Sequence, residues 1–344
     1  MAPPLVSFPT QPQSVAWPTL AWPPGPPPPA SIAPLVEAAF GDRRDPELGE
    51  TQAVVIIQGG KLVFEKYAPG FGAAVSCRSW SMAKSITHAL VGVAVADGLI
   101  EIHAPAEAPL WREPGDPRRA ITLDHLLRMS SGLAWVEDYE PGRPSDVIEM
   151  LFGAGKDDVA AFAQSKPLAH APGERFYYSS GTTNIICAIL ASTLGLTGSG
   201  FEGFMRDRLF APLGMTSATP RFDAAGTFIG SSYCFCAPRD FARFGLLYLR
   251  DGVWEGQRLL PPGWVDYART PTFQQPDGDD DGPYGAHWWL DRSGAGSFSA
   301  CGYEGQHIAI CPDRDLIIVR NGVTPLASQS AARVWVERLA EAFG

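Results

Sequence analysis

A serine and a lysine stand three positions apart, as Ser81 and Lys84, in the segment SWSMAKSITHALVGVAVADGLI. If a helix begins at Ser81, positions i and i+3 share a face, so the serine oxygen and the lysine nitrogen can meet. The N–H groups and positive potential at a helix start stabilise an oxyanion and help to keep the lysine neutral. A neutral Lys84 can take the proton of Ser81, which indicates nucleophilic catalysis with a lysine base.

The Ser-x-x-Lys spacing alone is a weak signal, because it occurs by chance in many proteins. Only Lys84 has a serine three positions before it, among Lys61, Lys66, Lys84, Lys156 and Lys166. The residues after Lys84 are apolar enough for a core helix, so a buried side chain is expected. Ser85 with His88 is a rival pair, but no acid that could orient the histidine is visible.

A tyrosine near a second helix offers a proton carrier. Tyr178 lies in the segment APGERFYYSSGTTNIICAIL, where small polar residues separate aromatic residues from a helical pattern. In a loop it can point into a crevice, and a nearby ammonium would lower its pKa. It could then pass a proton to a leaving group. The alternative is a tyrosine that only packs.

A glycine-rich strand supplies a third candidate segment, CGYEGQHIAICPDRD. Gly302 and Gly305 indicate either the close approach of a ligand or a β-bulge. In the first case the N–H of Gln306 could complete an oxyanion hole with the N–H of Ser81.

The elements that must position these residues are strands at both ends of the chain and helices between them. The segments around Gly59-Gly60 predict a hairpin, Ser31 and Thr122 are candidate helix N-caps, and the chain closes with a helix. The simplest fold is an α/β (α+β) architecture, in which helices flank a central antiparallel sheet and a mostly helical lobe is inserted. We predict a proline-rich arm at 1–30, a sheet lobe at 31–100 and 226–344, and a helical lobe at 101–225.

Charge and composition limit the partners. The net charge of −10 and the scattered lysines argue against nucleic acid and anionic membranes. Dispersed histidines and cysteines predict no metal and no cofactor. The proline-rich start lacks the features of a signal peptide and no apolar run has membrane-spanning length, which favours a cytoplasmic protein. The arm is expected to lie on its own domain or on a neighbouring subunit, and a homodimer is one possible assembly.

The three candidate segments occur in an order that resembles the serine β-lactamase and penicillin-recognising superfamily, in its class C and esterase-like branch. Other segments resemble the same branch, among them LLRMSSGL, PGERFYYSS, LFAPLGMTSA and YGAHWWL. The chain looks most similar to 6-aminohexanoate-dimer hydrolases and related carboxylesterases. The resemblance covers roughly residues 50 to 340 and implies a β-lactamase/transpeptidase-like fold.

The resemblance also implies roles for single residues. Ser81 becomes the nucleophile, Lys84 its base, Tyr178 the proton shuttle, and Ser81 and Gln306 the oxyanion-hole donors. Two positions depart from the family pattern. Ser180 replaces a frequent asparagine, and Tyr303-Glu304-Gly305 replaces the Lys-Thr-Gly stretch that binds the β-lactam carboxylate. These four residues are the expected substrate-binding positions.

These departures bear on the substrate. An acid at Glu304 would repel a carboxylate, so a neutral or amine-bearing small ester or amide is expected. The alternatives are a β-lactamase or D-amino-acid peptidase, or a non-catalytic binding member of the fold.

Overall fold

The computed structural model describes residues 5–42, 44–273 and 282–344. At its centre is a six-stranded antiparallel sheet with the order β2-β1-β10-β9-β8-β7, which confirms the predicted fold class. The strands of the chain are β1 Glu50–Gln58, β2 Lys61–Tyr67, β3 Thr219–Pro220, β4 Cys234–Phe235, β5 Val253–Trp254, β6 Gln257–Arg258, β7 Trp289–Leu290, β8 Phe298–Gly302, β9 Gln306–Cys311 and β10 Leu316–Val323.

The predicted hairpin at Gly59-Gly60 joins β1 to β2. Both glycines have positive φ, of 58° and 72°, which a two-residue hairpin turn requires. Strand β1 is buried on both faces, since Val54 and Ile56 contact one hydrophobic cluster and Val55 and Ile57 contact another. The sheet is therefore the middle layer of three.

Helices cover both faces of this sheet. The terminal helices α1 and α11 pack on one face, and α2 and α9 pack on the other. The helix bounds are α1 Ala33–Phe40, α2 Met82–Ala96, α3 Leu123–Leu127, α4 Asp146–Phe152, α5 Val159–Gln164, α6 Ser180–Leu194, α7 Ser199–Met205, α8 Ala211–Leu213, α9 Pro238–Leu249, α10 Trp264–Ala268 and α11 Gln329–Glu341.

Two helix starts test the predicted caps. Thr122 caps α3 and forms a capping box with His125, as predicted. The prediction for Ser31 is wrong, because residues Ala30–Ile32 form a 3₁₀ turn and α1 follows it directly, with Pro34 in its first turn.

Helices α3 to α8 come between the two sets of sheet strands in the chain. This order fits the predicted division into a sheet lobe and an inserted lobe, although the boundaries at 31–100, 101–225 and 226–344 stay predictions. Over the described ranges, no single helix is long and apolar enough to cross a bilayer. Helices Ser180–Leu194 and Ser199–Leu213 reach that length and composition only as a pair bent by 94°.

The proline-rich arm lies on its own domain. Leu62 in the edge strand β2 donates to the carbonyl of Pro23 at 2.9 Å and accepts from the N–H of Gly25 at 2.8 Å. Trp22 is buried, and the ring of Trp17 packs 4.9 Å from that of Trp254. The arm thus covers an otherwise unpaired sheet edge.

Candidate active site

The nucleophile candidate lies at the N-terminus of the central helix α2. Ser81 is the N-cap residue and is half-buried, and Lys84 follows one turn later with only 1% of its surface exposed. The Nζ atom of Lys84 is 3.0 Å from the Oγ atom of Ser81. The sequence spacing therefore produces the predicted contact.

Two further groups hold the Lys84 amine. Its Nζ atom is 3.0 Å from the Oγ atom of Ser180, at the start of α6, and 2.9 Å from the carbonyl oxygen of Ser231. Burial lowers the pKa of Lys84 from its ordinary 10.5 to about 8, and the negative charge of Glu137 opposes this decrease. A sizeable neutral fraction is therefore accessible near neutral pH.

The residue before Ser81 has a strained backbone. Trp80 has a φ of 43°, in the left-handed region that bulky residues avoid, at a cost of about 1–3 kcal/mol. Ser81 is presented by this turn, and its N–H finds no acceptor among the described residues. That N–H is therefore free to bind an oxyanion at the helix start.

Tyr178 lies beside both groups, as predicted. The Lys84 Nζ atom is 4.9 Å from the centroid of its ring, and its hydroxyl interacts with the side chain of Ser81. The expected direction of its pKa change is wrong, because burial and the charge of Glu137 raise the pKa of Tyr178. The phenol therefore stays protonated, which leaves Lys84 as the base.

Glu137 is a site residue that sequence reasoning missed. Its carboxylate accepts two hydrogen bonds from Ser180, from Oγ at 2.6 Å and from the backbone N–H at 2.9 Å. It also accepts from the indole of Trp135 at 2.6 Å and from the hydroxyl of Tyr139 at 2.7 Å. The only sequence signal was an acid between aromatic residues, in the segment WVEDY.

The end of strand β8 borders the nucleophile turn. A Cβ atom on Gly302 would lie 2.4 Å from the carbonyl oxygen of Ser79 and 3.1 Å from the Cβ of Trp80. Only glycine permits this approach, whereas the sequence predicted either the close approach of a ligand or a β-bulge. The contacting group is the nucleophile turn.

Glu304 lies in the turn Tyr303–Gly305 and contacts the same tryptophan. The indole Nε1 of Trp80 donates to the carboxylate at 2.8 Å, and Arg78 lies 3.9 Å from it. Glu304 also has a positive φ, of 63°. The hydrogen bond between Trp80 and Glu304 therefore joins two residues whose backbones are both in the left-handed region.

Gln306 begins strand β9 and is buried. Its side chain binds within the sheet, where it donates to the carbonyl of Gly322 at 2.6 Å and accepts from Asn321 at 3.1 Å. The side chain is thus structural, and the oxyanion role of the backbone N–H stays a prediction.

Partly exposed aromatic rings surround Trp80, the residue before Ser81. The ring of Trp80 lies 5.8 Å from that of Tyr303 and 5.7 Å from that of Tyr233. Tyr139 stacks on Tyr303 at 5.1 Å. Such rings suit the apolar body of a small substrate.

The rival pair is not assembled. The hydroxyl of Ser85 donates to the carbonyl of His287 at 2.8 Å, whereas His88 bonds the hydroxyl of Tyr248 at 2.7 Å. Within the part of the chain that the structure describes, no group of three or more His, Cys, Asp and Glu side chains is placed to hold a metal.

Known proteins are similar to most of this chain. The family described as Beta-lactamase matches residues 49–336. A 6-aminohexanoate-dimer hydrolase from Paenarthrobacter ureafaciens is 24% identical over 285 residues, which is 78% of this chain and 72% of that protein. A structure from Bacillus anthracis that is described as a 6-aminohexanoate-dimer hydrolase superposes with a TM-score of 0.70 at 21% identity, over 82% of this chain and 76% of the other.

A second similar structure, described as a beta-lactamase from Bacteroides dorei, has a TM-score of 0.67 at 20% identity. The match covers 85% of this chain and 93% of that one. At these identities the structural matches establish the shared fold.

Proposed function

Because this chain belongs to the beta-lactamase family of hydrolases, we propose that it is a serine hydrolase that forms an acyl-enzyme on Ser81. The observation that carries the proposal is the environment of Lys84. A buried amine with a pKa of about 8 lies 3.0 Å from a half-buried serine hydroxyl. A base with a pKa near the working pH is the most effective general base.

Acylation starts when neutral Lys84 takes the proton of Ser81 and the serine oxygen attacks the substrate carbonyl carbon. The oxyanion is stabilised by the N–H of Ser81 and by a backbone N–H from the segment Gly302–Gln306, where the sequence assigns Gln306. Tyr178 then gives its proton to the leaving oxygen or nitrogen and recovers one from the Lys84 ammonium. The carbon–leaving group bond breaks and an ester on Ser81 remains.

Deacylation repeats these transfers with water. Lys84, through Tyr178, takes a proton from the attacking water, and the proton returns to Ser81 as the ester bond breaks. The raised pKa of Tyr178 fits this role, because a phenol that stays protonated can donate at each cycle.

The substrate we propose is a small ester or amide. Tyr303, Glu304 and the aromatic rings around them would contact its non-reacting part, with the carboxylate favouring an amine and opposing a carboxylate. This disfavours β-lactams. The amide named in the descriptions of the relatives, the 6-aminohexanoate dimer, is a reasonable first amide to assay.

We propose a reducing, cytoplasmic location as the setting. Its support is that Cys77, Cys187, Cys234, Cys236 and Cys311 are reduced and buried. Burial raises the pKa of Cys77, Cys187 and Cys311 to about 12, so these thiols are unreactive.

A fluorophosphonate probe tests the proposal, because it needs only an activated serine. Ser81 should attack phosphorus with loss of fluoride, and intact mass spectrometry with peptide mapping should place one adduct on Ser81. Ser81→Ala should not react, and Lys84→Met should react at least about 100-fold more slowly. A folded wild-type protein that stays unlabelled would instead favour a non-catalytic binding member of the fold.

A further inference from the structure

We propose that Glu137 is a positioning residue, which acts through Ser180 to direct the lone pair of Lys84 at Ser81. The inference deepens the proposed function and rests on it. It starts from a chain of contacts that runs from the carboxylate of Glu137 to the hydroxyl of Ser180 at 2.6 Å and on to the Lys84 amine at 3.0 Å.

The direction of each hydrogen bond follows from the donors present. A carboxylate only accepts, so the single hydroxyl proton of Ser180 must point at Glu137. The oxygen of Ser180 then offers Lys84 only lone pairs, and Lys84 has to donate to it. The carbonyl of Ser231, 2.9 Å from the same amine, also only accepts.

A neutral amine has two N–H groups and one lone pair. Ser180 and Ser231 take both N–H groups, so the lone pair of Lys84 is left facing Ser81, its third neighbour at 3.0 Å. This is the orientation that a base needs to remove the serine proton. When the proton arrives, the ammonium keeps all three contacts, and the nearby carboxylate stabilises its charge.

The other titratable groups around Lys84 do not carry a compensating negative charge. His287 is near enough to interact electrostatically with Lys84, and burial lowers its pKa to about 3, so it is neutral. Tyr178 contacts Lys84 with its ring, and Tyr139 donates to Glu137. Both phenols have raised pKa values and stay protonated.

The carboxylate of Glu137 is itself held in place on both oxygens. One oxygen accepts from the indole of Trp135 and the backbone N–H of Ser180, and the other accepts from the hydroxyls of Ser180 and Tyr139. In Glu137→Gln the new NH₂ group should replace the oxygen that faces the hydroxyls of Ser180 and Tyr139. Those hydroxyls can rotate to accept a hydrogen bond, whereas the N–H groups around the other oxygen can only donate. The hydroxyl of Ser180 would then point its proton at Lys84 and occupy the lone pair.

The test measures the pKa of Lys84 directly, by NMR of lysine labelled at Cε and Nζ. The chain has five lysines, and the Lys84 signal is assigned by its loss in Lys84→Met. Wild type, Glu137→Gln and the control Glu140→Gln are compared. Glu140 is an exposed acid three residues along the same loop, paired with Arg143 at 2.8 Å.

In Glu137→Gln the pKa of Lys84 should decrease by about one unit, because an opposite charge that favours the ammonium is lost. In the pH profile of kcat/KM for a p-nitrophenyl ester, the increase on the acidic side should move to lower pH by the same amount as the Lys84 pKa. The plateau of this profile should decrease by about 10- to 100-fold, since the lone pair is misdirected. Glu140→Gln should change neither quantity.

An unchanged Lys84 pKa and an unmoved acidic side of the pH profile in folded Glu137→Gln would overturn the proposal, even if activity decreased. If that variant does not fold, Ser180→Ala carries the test, because it removes the connecting hydroxyl and leaves Glu137 in place. It should lower the Lys84 pKa and the plateau, and unchanged values would again overturn the proposal. The NMR titration needs no turnover, so a wild-type protein without hydrolase activity would contradict the proposed function separately.

Discussion

Two carboxylates, Glu137 and Glu304, contact neighbours of Ser81, and the two have different surroundings. Glu137, on the buried side, accepts four hydrogen bonds and is one hydroxyl away from Lys84. Glu304, beside the nucleophile turn, accepts from the indole of Trp80 and has Arg78 3.9 Å away. The first is fixed from several directions, and the second is partly exposed.

The different surroundings of the two carboxylates predict different roles, with Glu137 affecting the rate of proton transfer and Glu304 affecting the choice of substrate. The buried side holds the proton that must move, so a change there should slow the hydrolysis of every substrate. The carboxylate of Glu304 binds Trp80, which has a strained backbone conformation, and is partly exposed to solvent. A change there should alter the ranking of substrates more than the rate for the best one.

The largest effect is expected from Lys84→Met, which removes the base and keeps the volume of the side chain. Hydrolysis of a p-nitrophenyl ester should decrease by at least about 1,000-fold, because no other buried amine is within reach of Ser81 in the described structure. Steady-state kinetics over pH 6–9 measure this. A decrease of less than tenfold would remove Lys84 from the mechanism.

The same variant should unfold less readily at pH 7. The pKa of Lys84 decreases from 10.5 to about 8 on folding, so the unfolded state holds its proton more tightly. Stability from this group therefore increases as pH rises from about 8 to 10.5, and below pH 8 the full cost of about 3 kcal/mol is present. Urea denaturation should show a gain of up to that size in Lys84→Met, and a large loss would contradict it.

Tyr178→Phe should have the next largest effect. The ring keeps its stacking on Trp289 at 5.5 Å, while the proton carrier is lost. We expect kcat to decrease by about 100-fold at an unchanged melting temperature. The decrease should be greater for an amide than for an aryl ester, whose leaving group needs no proton. Equal losses on both substrates would argue against a shuttle.

The smallest effect is expected at Glu304. Glu304→Gln keeps an oxygen for the indole of Trp80 but removes the charge, so a neutral ester should be turned over within about threefold of wild type. An amine-bearing ester should lose about 3- to 10-fold in kcat/KM. Glu304→Ala also removes the hydrogen bond to Trp80 and should slow both esters. Equal behaviour of the amine-bearing and neutral esters in Glu304→Gln would remove the amine preference.

Helix spacing, turn residues and capping residues in the sequence predict contacts between residues that are close together in the chain. The spacing of Ser81 and Lys84 fixes their contact once a helix forms, and Gly59-Gly60 and Thr122 fix a turn and a cap. The partners of Lys84 could not be predicted in this way. Ser180 and Ser231 lie 96 and 147 residues away in sequence, and only the packing of α6 and a distant loop brings them to the amine.

Glu137 was missed for the same reason, because it lies in an irregular segment where no periodicity points to a face. The predicted direction of the Tyr178 pKa is wrong, because the sequence motif points only to the charge of the neighbouring lysine. The structure adds burial and a second charge, that of Glu137, and both raise the pKa. Electrostatics of this kind depend on groups that are distant in sequence.

The comparison of wild type with Ser81→Ala on a short-chain p-nitrophenyl ester tests the central claim most directly, with the initial burst followed as well as the steady rate. Wild type should turn the ester over, with any burst limited to one equivalent per chain, and Ser81→Ala should show only background hydrolysis. Equal rates for the two folded proteins, whether fast or at background, would contradict an acyl-enzyme on Ser81.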